Sequence, residues 1–181
     1  AAVYGVVGAV ERAIVCIAGA GALGRSVDPA ELFDDAVDCG DGITLVSLVG
    51  QWGYLTSNGV ERFYPVALPF SDDMAVVSEG DGRWCAMDRK RNILFGLKCE
   101  ELCSYSEGLA PVRIGGKWGY ADSAGAVTIE PVYDYCGAFS NGCAVVRNGA
   151  CYGVIDSDGV LLRPMSEGVI VRGENGEIVA L

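Results

Sequence analysis

The chain has 181 residues, 51% of them hydrophobic, and a formal net charge of −11; that excludes disorder and leaves room for one core or a short repeat array. The acid excess is shared, −7 over residues 1–90 and −4 over 91–181, so both halves repel a phosphate backbone and nucleic acid is not an expected partner. No apolar run reaches the ~18–20 residues of a membrane span, and with no His in the chain the commonest general base and the Ser-His and Cys-His nucleophile pairs are absent.

Residues 1–32 read as an eroded repeat copy that caps the array. Within them Gly19-Ala20-Gly21-Ala22-Leu23-Gly24 is a literal G-x-G-x-x-G behind apolar Ala13–Ile17, the pattern that admits a pyrophosphate at a helix N-terminus. Pro29 follows within five residues of Gly24 and no second βα unit comes after it. A repeat turn is therefore expected there, with nucleotide binding at Gly19–Gly24 as a minor alternative. Ala1 is not followed by a basic region and a long apolar stretch, so no signal peptide is expected unless one has been removed.

From Phe33 onward an aromatic-Gly signature returns at a nearly fixed interval. Trp52-Gly53-Tyr54, Trp84-Cys85-Ala86, Trp118-Gly119-Tyr120 and Tyr152-Gly153-Val154 begin 32, 34 and 34 residues apart, the mark of a tandem supersecondary unit. A turn residue follows seven positions on (Gly59, Gly125 and Gly159, with Arg91-Asn92 in the second copy). Pro65 and Pro131 come thirteen on, and Pro164 twelve. Before each of the later copies stands an aromatic followed by Ser: Phe70-Ser71-Asp72-Asp73, Tyr105-Ser106-Glu107-Gly108 and Phe139-Ser140-Asn141-Gly142.

These landmarks predict three short strands per unit of about 34 residues. The first follows the Ser-x-Gly turn, as in Met74–Val77, Leu109–Val112 and Cys143–Val146. The second carries the aromatic-Gly pair, and the third includes Val127–Ile129 and is expected to end at Pro131, which cannot donate to a ladder. Asn-Gly and Asp-x-x-Gly between them are hairpin chemistry. The signature aromatic is expected to wedge neighbouring units together, with its Gly admitting a close backbone or a bend. A hairpin unit of this size cannot bury its faces alone; stacking does it.

Three segments could carry chemistry, and each is expected to be structural. Asp156-Ser157-Asp158-Gly159 resembles the start of a calcium loop, but Leu161 stands where such a loop needs Gly and Pro164 at its ninth place. Cys99-x-x-x-Cys103 lacks a partner pair at zinc-ligand spacing. The acid pairs Asp34-Asp35, Asp72-Asp73 and Glu100-Glu101 sit near turns, where a solvated rim is expected. Eight Cys at unrelated phases of the repeat read as small filling thiols. They favour a reducing, cytoplasmic setting, with an exported or cell-envelope protein as the alternative if an upstream segment was removed.

The run Gly116-Lys117-Trp118-Gly119-Tyr120-Ala121-Asp122, then Gly125, Ile129-Glu130-Pro131-Val132-Tyr133-Asp134 and Phe139-Ser140-Asn141-Gly142, resembles the bacterial WG-repeat (KWG-repeat) family over about residues 27–170. Cys85 in place of Gly and Tyr152 in place of Trp depart from the pattern. The resemblance implies an all-β repeat module, an interaction or surface module without established enzyme activity. The expectation is thus a single all-β repeat domain over 1–181: an eroded copy at 1–32, WG-type repeats over 33–164, and a degenerate copy at 165–181. It would form a propeller-like or open curved array. Its structural signature is Trp52, Gly53, Trp84, Trp118, Gly119, Tyr152, Gly153, Phe70, Tyr105, Phe139, Pro65 and Pro131; no catalytic, cofactor or metal residue is assigned. The function expected is a non-catalytic scaffold for a protein or cell-surface partner, with Tyr54, Tyr120 and Tyr135 on a recognition face or in the core. The alternative is a glycan-acting hydrolase using acids such as Glu100, Glu101 or Asp122, whose carboxylates would have to converge across a cleft.

Overall fold

The computed structural model describes residues 33–167, 170–172 and 178–180; Gly19–Gly24, the rest of the N-terminal cap and part of the C-terminal cap lie outside them. The described chain is all-β: four antiparallel four-stranded sheets and a two-stranded one, with strands adjacent in the sheet in chain order. Chain-order meanders follow from hairpin turns too short to cross over.

The chain divides into two compact units, one ending at Pro69 and including Val77–Gly80, the other comprising Phe70–Val76 and everything from Asp81. The first unit holds β1 (Asp35–Asp38), β2 (Thr44–Leu48), β3 (Gln51–Thr56), β4 (Gly59–Tyr64) and β5 (Val66–Ala67). Its core includes Phe33, Val46 and Val60. The boundary runs through β6 (Met74–Ser78).

The second unit continues with β7 (Arg83–Asp88), β8 (Ile93–Lys98), β9 (Glu101–Leu102), β10 (Leu109–Ile114), β11 (Lys117–Asp122) and β12 (Val127–Tyr133). Then come β13 (Tyr135–Cys136), β14 (Cys143–Asn148), β15 (Cys151–Asp156), β16 (Leu161–Glu167), β17 (Ile170–Arg172) and β18 (Ile178–Ala180). One core cluster joins Leu109, Tyr120 and Ile129 of sheet β9–β12 to Cys136, Phe139, Ala144, Val146 and Ile155 of sheet β13–β16.

Each repeat has the three strands expected and one more. The linking segment supplies a two-residue strand, β5, β9 or β13, whose register continues the sheet (Tyr135↔Arg147, Cys136↔Val146). It was invisible to periodicity because two residues carry no alternation. Pro131 does not end its strand: β12 runs through it to Tyr133, and Pro164 lies within β16. Both strands form the outer edge of their sheets, and register shifts fall beside the prolines. An edge strand at a bulge tolerates a missing N–H.

Candidate functional site

The four signature aromatics occupy one equivalent place, the second residue of β3, β7, β11 and β15. Trp118 packs against the core cluster that joins two successive sheets. Trp84 is buried, but Trp52, Trp118 and Tyr152 are half-buried. The residue two positions on shares the signature aromatic's face of the strand, since β11 pairs regularly with β10, and it is the more deeply buried of the two. Tyr120 is fully buried, edge-on to Phe139 with centroids 4.8 Å apart. Its hydroxyl donates to the Gly137 carbonyl at 2.6 Å. Tyr54, buried in the first unit, donates to the Leu68 carbonyl at 2.6 Å. Of the three tyrosines considered for a recognition face, these two are core and only Tyr135 is exposed.

The signature Gly answers to the bulge opposite it. A Cβ on Gly119 would fall against the Ile129 carbonyl oxygen and 2.8 Å from Pro131 N, a backbone collision that no rotamer relieves. The second copy, without Gly at position 85, has regular pairing instead: Trp84↔Leu97, Cys85↔Gly96, Ala86↔Phe95. It also lacks the proline that lies at the bulge in the third and fourth copies.

Successive repeats of the second unit are stapled at the Ser-x-Gly turns. Ser71 donates to the Tyr105 carbonyl (2.6 Å) and Ser106 to the Phe139 carbonyl (2.8 Å). The next residue's carboxylate reaches the following turn: Asp72 accepts from Gly108 N (2.8 Å), and Glu107 accepts from Asn141 N and Gly142 N (2.7 and 2.9 Å). Those N–H groups converge because both central turn residues have positive φ, 55° at Asn141 and 73° at Gly142, the two-residue hairpin conformation.

A second recurrent bond holds the hairpin before the signature strand. Asp34 accepts from Val49 N (2.7 Å), Glu100 from Gly116 N (3.0 Å) and Asp134 from Gly149 N (2.7 Å). The first of these bonds fixes a β-branched residue at φ 51°, a costly conformation for Val. The bond from Gly149, then that from Lys117, holds the Asp134 carboxyl below its usual range. Pro65 occupies the fourth equivalent place, exposed, beside Gly80. Asp34 and Glu100, expected on a solvated rim, are exposed and also make these bonds; the signal for them is the recurrence of Asp or Glu at one offset before the signature.

Other candidates resolve into structure. Asp156 spends one carboxylate oxygen on Asp158 N and Val160 N of its own turn. Cys99 and Cys103 are unpaired thiols pushed up to about 11 by burial, and Cys136 to about 12. Among the described residues no group of His, Cys, Asp and Glu could hold a metal ion, and no helix is long and apolar enough to cross a membrane. Tyr105 is buried, Phe139 likewise, and Phe70 is half-buried under the Arg89 guanidinium, 5.1 Å from its ring centroid.

A surface feature remains at β8. A groove of about 280 Å³ is lined by Gly82, Lys98, Cys99, Glu100, Ile114 and Gly115. It opens at the C-terminal end of β8, whose Ile93 and Leu94 are 47% and 49% exposed.

Sheets of one meander design, each with an aromatic at the same place of its third strand, define an all-β tandem-repeat protein. The profile of the family described as WG containing repeat matches residues 84–118 and 118–150. Residues 84–150 thus carry two repeats of the WG type.

Among solved structures, Hsv2p of Kluyveromyces lactis superposes with a TM-score of 0.50 at 14% identity, over 81% of this chain and 57% of that one; the likeness is one of fold. BamB from Moraxella catarrhalis gives 0.48 at 11% identity, over 75% and 51% of the two chains. The WD40 beta propeller domain of Doa1 gives 0.46 at 13%, over 82% and 61%. The chain spans about half the length of several structures it matches. No curated protein matches its sequence.

Proposed function

We propose that this chain is a non-catalytic scaffold whose repeated sheets present a surface to a protein partner. The observation that carries the reading is where the carboxylates go. Glu100 holds Gly116 N and lies 3.3 Å from Arg113 Nε; Asp122 holds Ala124 N and Ala126 N; Asp34, Asp72, Glu107, Asp134 and Asp156 each hold a backbone N–H of a turn. Acids spent on building turns are poorly placed to serve as the proton donor and nucleophile of a glycosidase. The chain keeps an exposed aromatic and aliphatic set, Tyr135, Val132, Ile93, Leu94, Leu161 and Leu162, suited to contact with another protein.

Photo-crosslinkers placed at Leu94, Val132 and Leu162 test this, with the captured protein then purified and titrated. A saturable complex weakened by substitution at the crosslinked position is expected. Release of reducing sugar from a glycan panel, abolished by Glu100→Gln, would overturn it.

A further inference from the structure

We infer that the outer edge of β8 is a docking strand for an extended, acidic segment of a protein partner, which would add to the sheet as a further strand. The inference rests on the scaffold reading and says where and by what chemistry the partner is held.

Each four-stranded sheet ends in an outer strand, β4, β8, β12 or β16. An outer strand presents backbone N–H and C=O groups to whatever strand approaches, and edges are commonly guarded by proline, bulges and charge. Three of the four carry a carboxylate and have a proline within the strand or directly after it. β12 carries Glu130 and Pro131, and its register jumps between Trp118↔Tyr133 and Tyr120↔Ile129. β16 carries Pro164 and Glu167, with a jump between Tyr152↔Ser166 and Val154↔Arg163. β4 carries Glu61, shifts register, and runs directly into Pro65.

β8 has neither proline nor carboxylate. Its register shifts once, at Leu94 between Ala86↔Phe95 and Met87↔Ile93, and from Phe95 to Lys98 it pairs residue for residue with β7. Ile93 and Leu94 stand exposed at its start, offering apolar contact to alternate side chains of an added strand.

Charge selects the partner. Residues 89–98 contain Arg89, Lys90, Arg91 and Lys98 and no acid, in a chain of net charge −11. Lys90 and Lys98 are exposed near the two ends of the strand. The Arg83 guanidinium crosses bare Gly96, where a Cβ would lie 2.7 Å from its Nε. The acids around this strip, Asp73, Asp81, Asp88, Glu100 and Glu101, lie outside β8, and Asp73 is paired with Arg89 (2.7 Å). An acidic strand of about six to eight residues, at ~3.3 Å per residue, spans the distance between the two lysines. The groove beside Lys98 would receive its terminal side chain.

The test uses the full chain and a fluorescein-labelled eight-residue peptide of alternating aspartate and valine, read by anisotropy. Two further probes are the lysine-valine counterpart and the aspartate-valine peptide N-methylated at alternate residues. Saturable binding of the aspartate-valine peptide alone is expected, weakened about tenfold or more by Lys90→Glu with Lys98→Glu and by Leu94→Asp, and unchanged by Val132→Asp on β12. Circular dichroism and the thermal midpoint establish that each variant is folded. No binding of the aspartate-valine peptide, equal binding of the N-methylated one, or indifference to the double charge reversal overturns the docking strand. The two readings separate on the purified partner: if it binds the double variant undiminished, β8 falls and the scaffold stands, whereas the absence of any saturable partner removes the scaffold reading itself.

Discussion

Gly96 stands directly opposite Cys85 across the β7–β8 pair. In the third and fourth copies the glycine is on the signature strand, at Gly119 and Gly153, and the partner strand bulges against it. In the second copy the glycine has moved to the partner strand and the bulge opposite the signature is gone. Cys85 and the missing proline are therefore one change, since a side chain at the signature position needs a partner strand that does not crowd it.

Gly119→Ala is expected to destabilise the fold by on the order of 2–3 kcal/mol, because its Cβ meets backbone of the opposing strand. Gly96→Ala should cost about 1 kcal/mol or less, since the Arg83 side chain that it meets can swing aside. Urea midpoints of the two variants, compared at unchanged slope, decide it; equal losses would refute the bulge account.

Tyr120→Phe removes one hydroxyl and leaves the Gly137 carbonyl without that donor. A loss of about 1–2 kcal/mol is expected. Tyr120→Leu should cost more, through the lost edge-on contact with Phe139. By contrast Trp118→Phe, at a half-buried position, should cost less than Tyr120→Leu. Thermal melts of the three rank them.

The Asp134 carboxyl is held below its ordinary value, so it is more acidic folded than unfolded. Its contribution is then present above the ordinary carboxylate pKa near ~4 and is lost as pH falls through the lowered value. Wild-type protein and Asp134→Asn, unfolded in urea at pH 7 and at pH 3, should differ in stability more at pH 7. A gap that is the same at both pH values would show that the latch to Gly149 does not depend on ionisation.

Burial pushes the Cys99 and Cys103 thiols to about 11 and Cys136 to about 12. Raised thiol values mean that the folded state keeps protons the unfolded chain gives up, so stability is whole below the free-thiol value near ~8.5 and declines as pH rises toward 11–12. These three should resist iodoacetamide at pH 8 in the native protein and react once it is unfolded in urea. Mass mapping of the alkylated sites checks this, and rapid native labelling of Cys136 would contradict it.

The three longer strands of each repeat, the positions of the hairpin turns and the equivalence of residues 52, 84, 118 and 152 were legible in the sequence; the short strand that opens each sheet was not. Turn chemistry and period are local, and an interval near 34 residues repeats them until they stand out. Which of two rings on one strand face is the deeper was not legible. Trp118 and Tyr120 share a face of β11, and only what packs there, Phe139 above all, makes Tyr120 the fully buried one. Nor were the bonds of the acids legible. Asp34, Glu100 and Asp134 lie 15 or 16 residues from the N–H groups they hold, and nothing at that separation shows in local pattern.

Composition, period and turn residues alone thus determined that the chain is a tandem array of small antiparallel sheets, because backbone conformation at Gly, Asn and Pro is dictated by sterics within a few residues. Tertiary structure decided which ring is buried, which carboxylates are spent on turns and which strand is outermost in each sheet. Each of those depends on what a neighbouring strand brings opposite, a relation set by register and bulges in three dimensions.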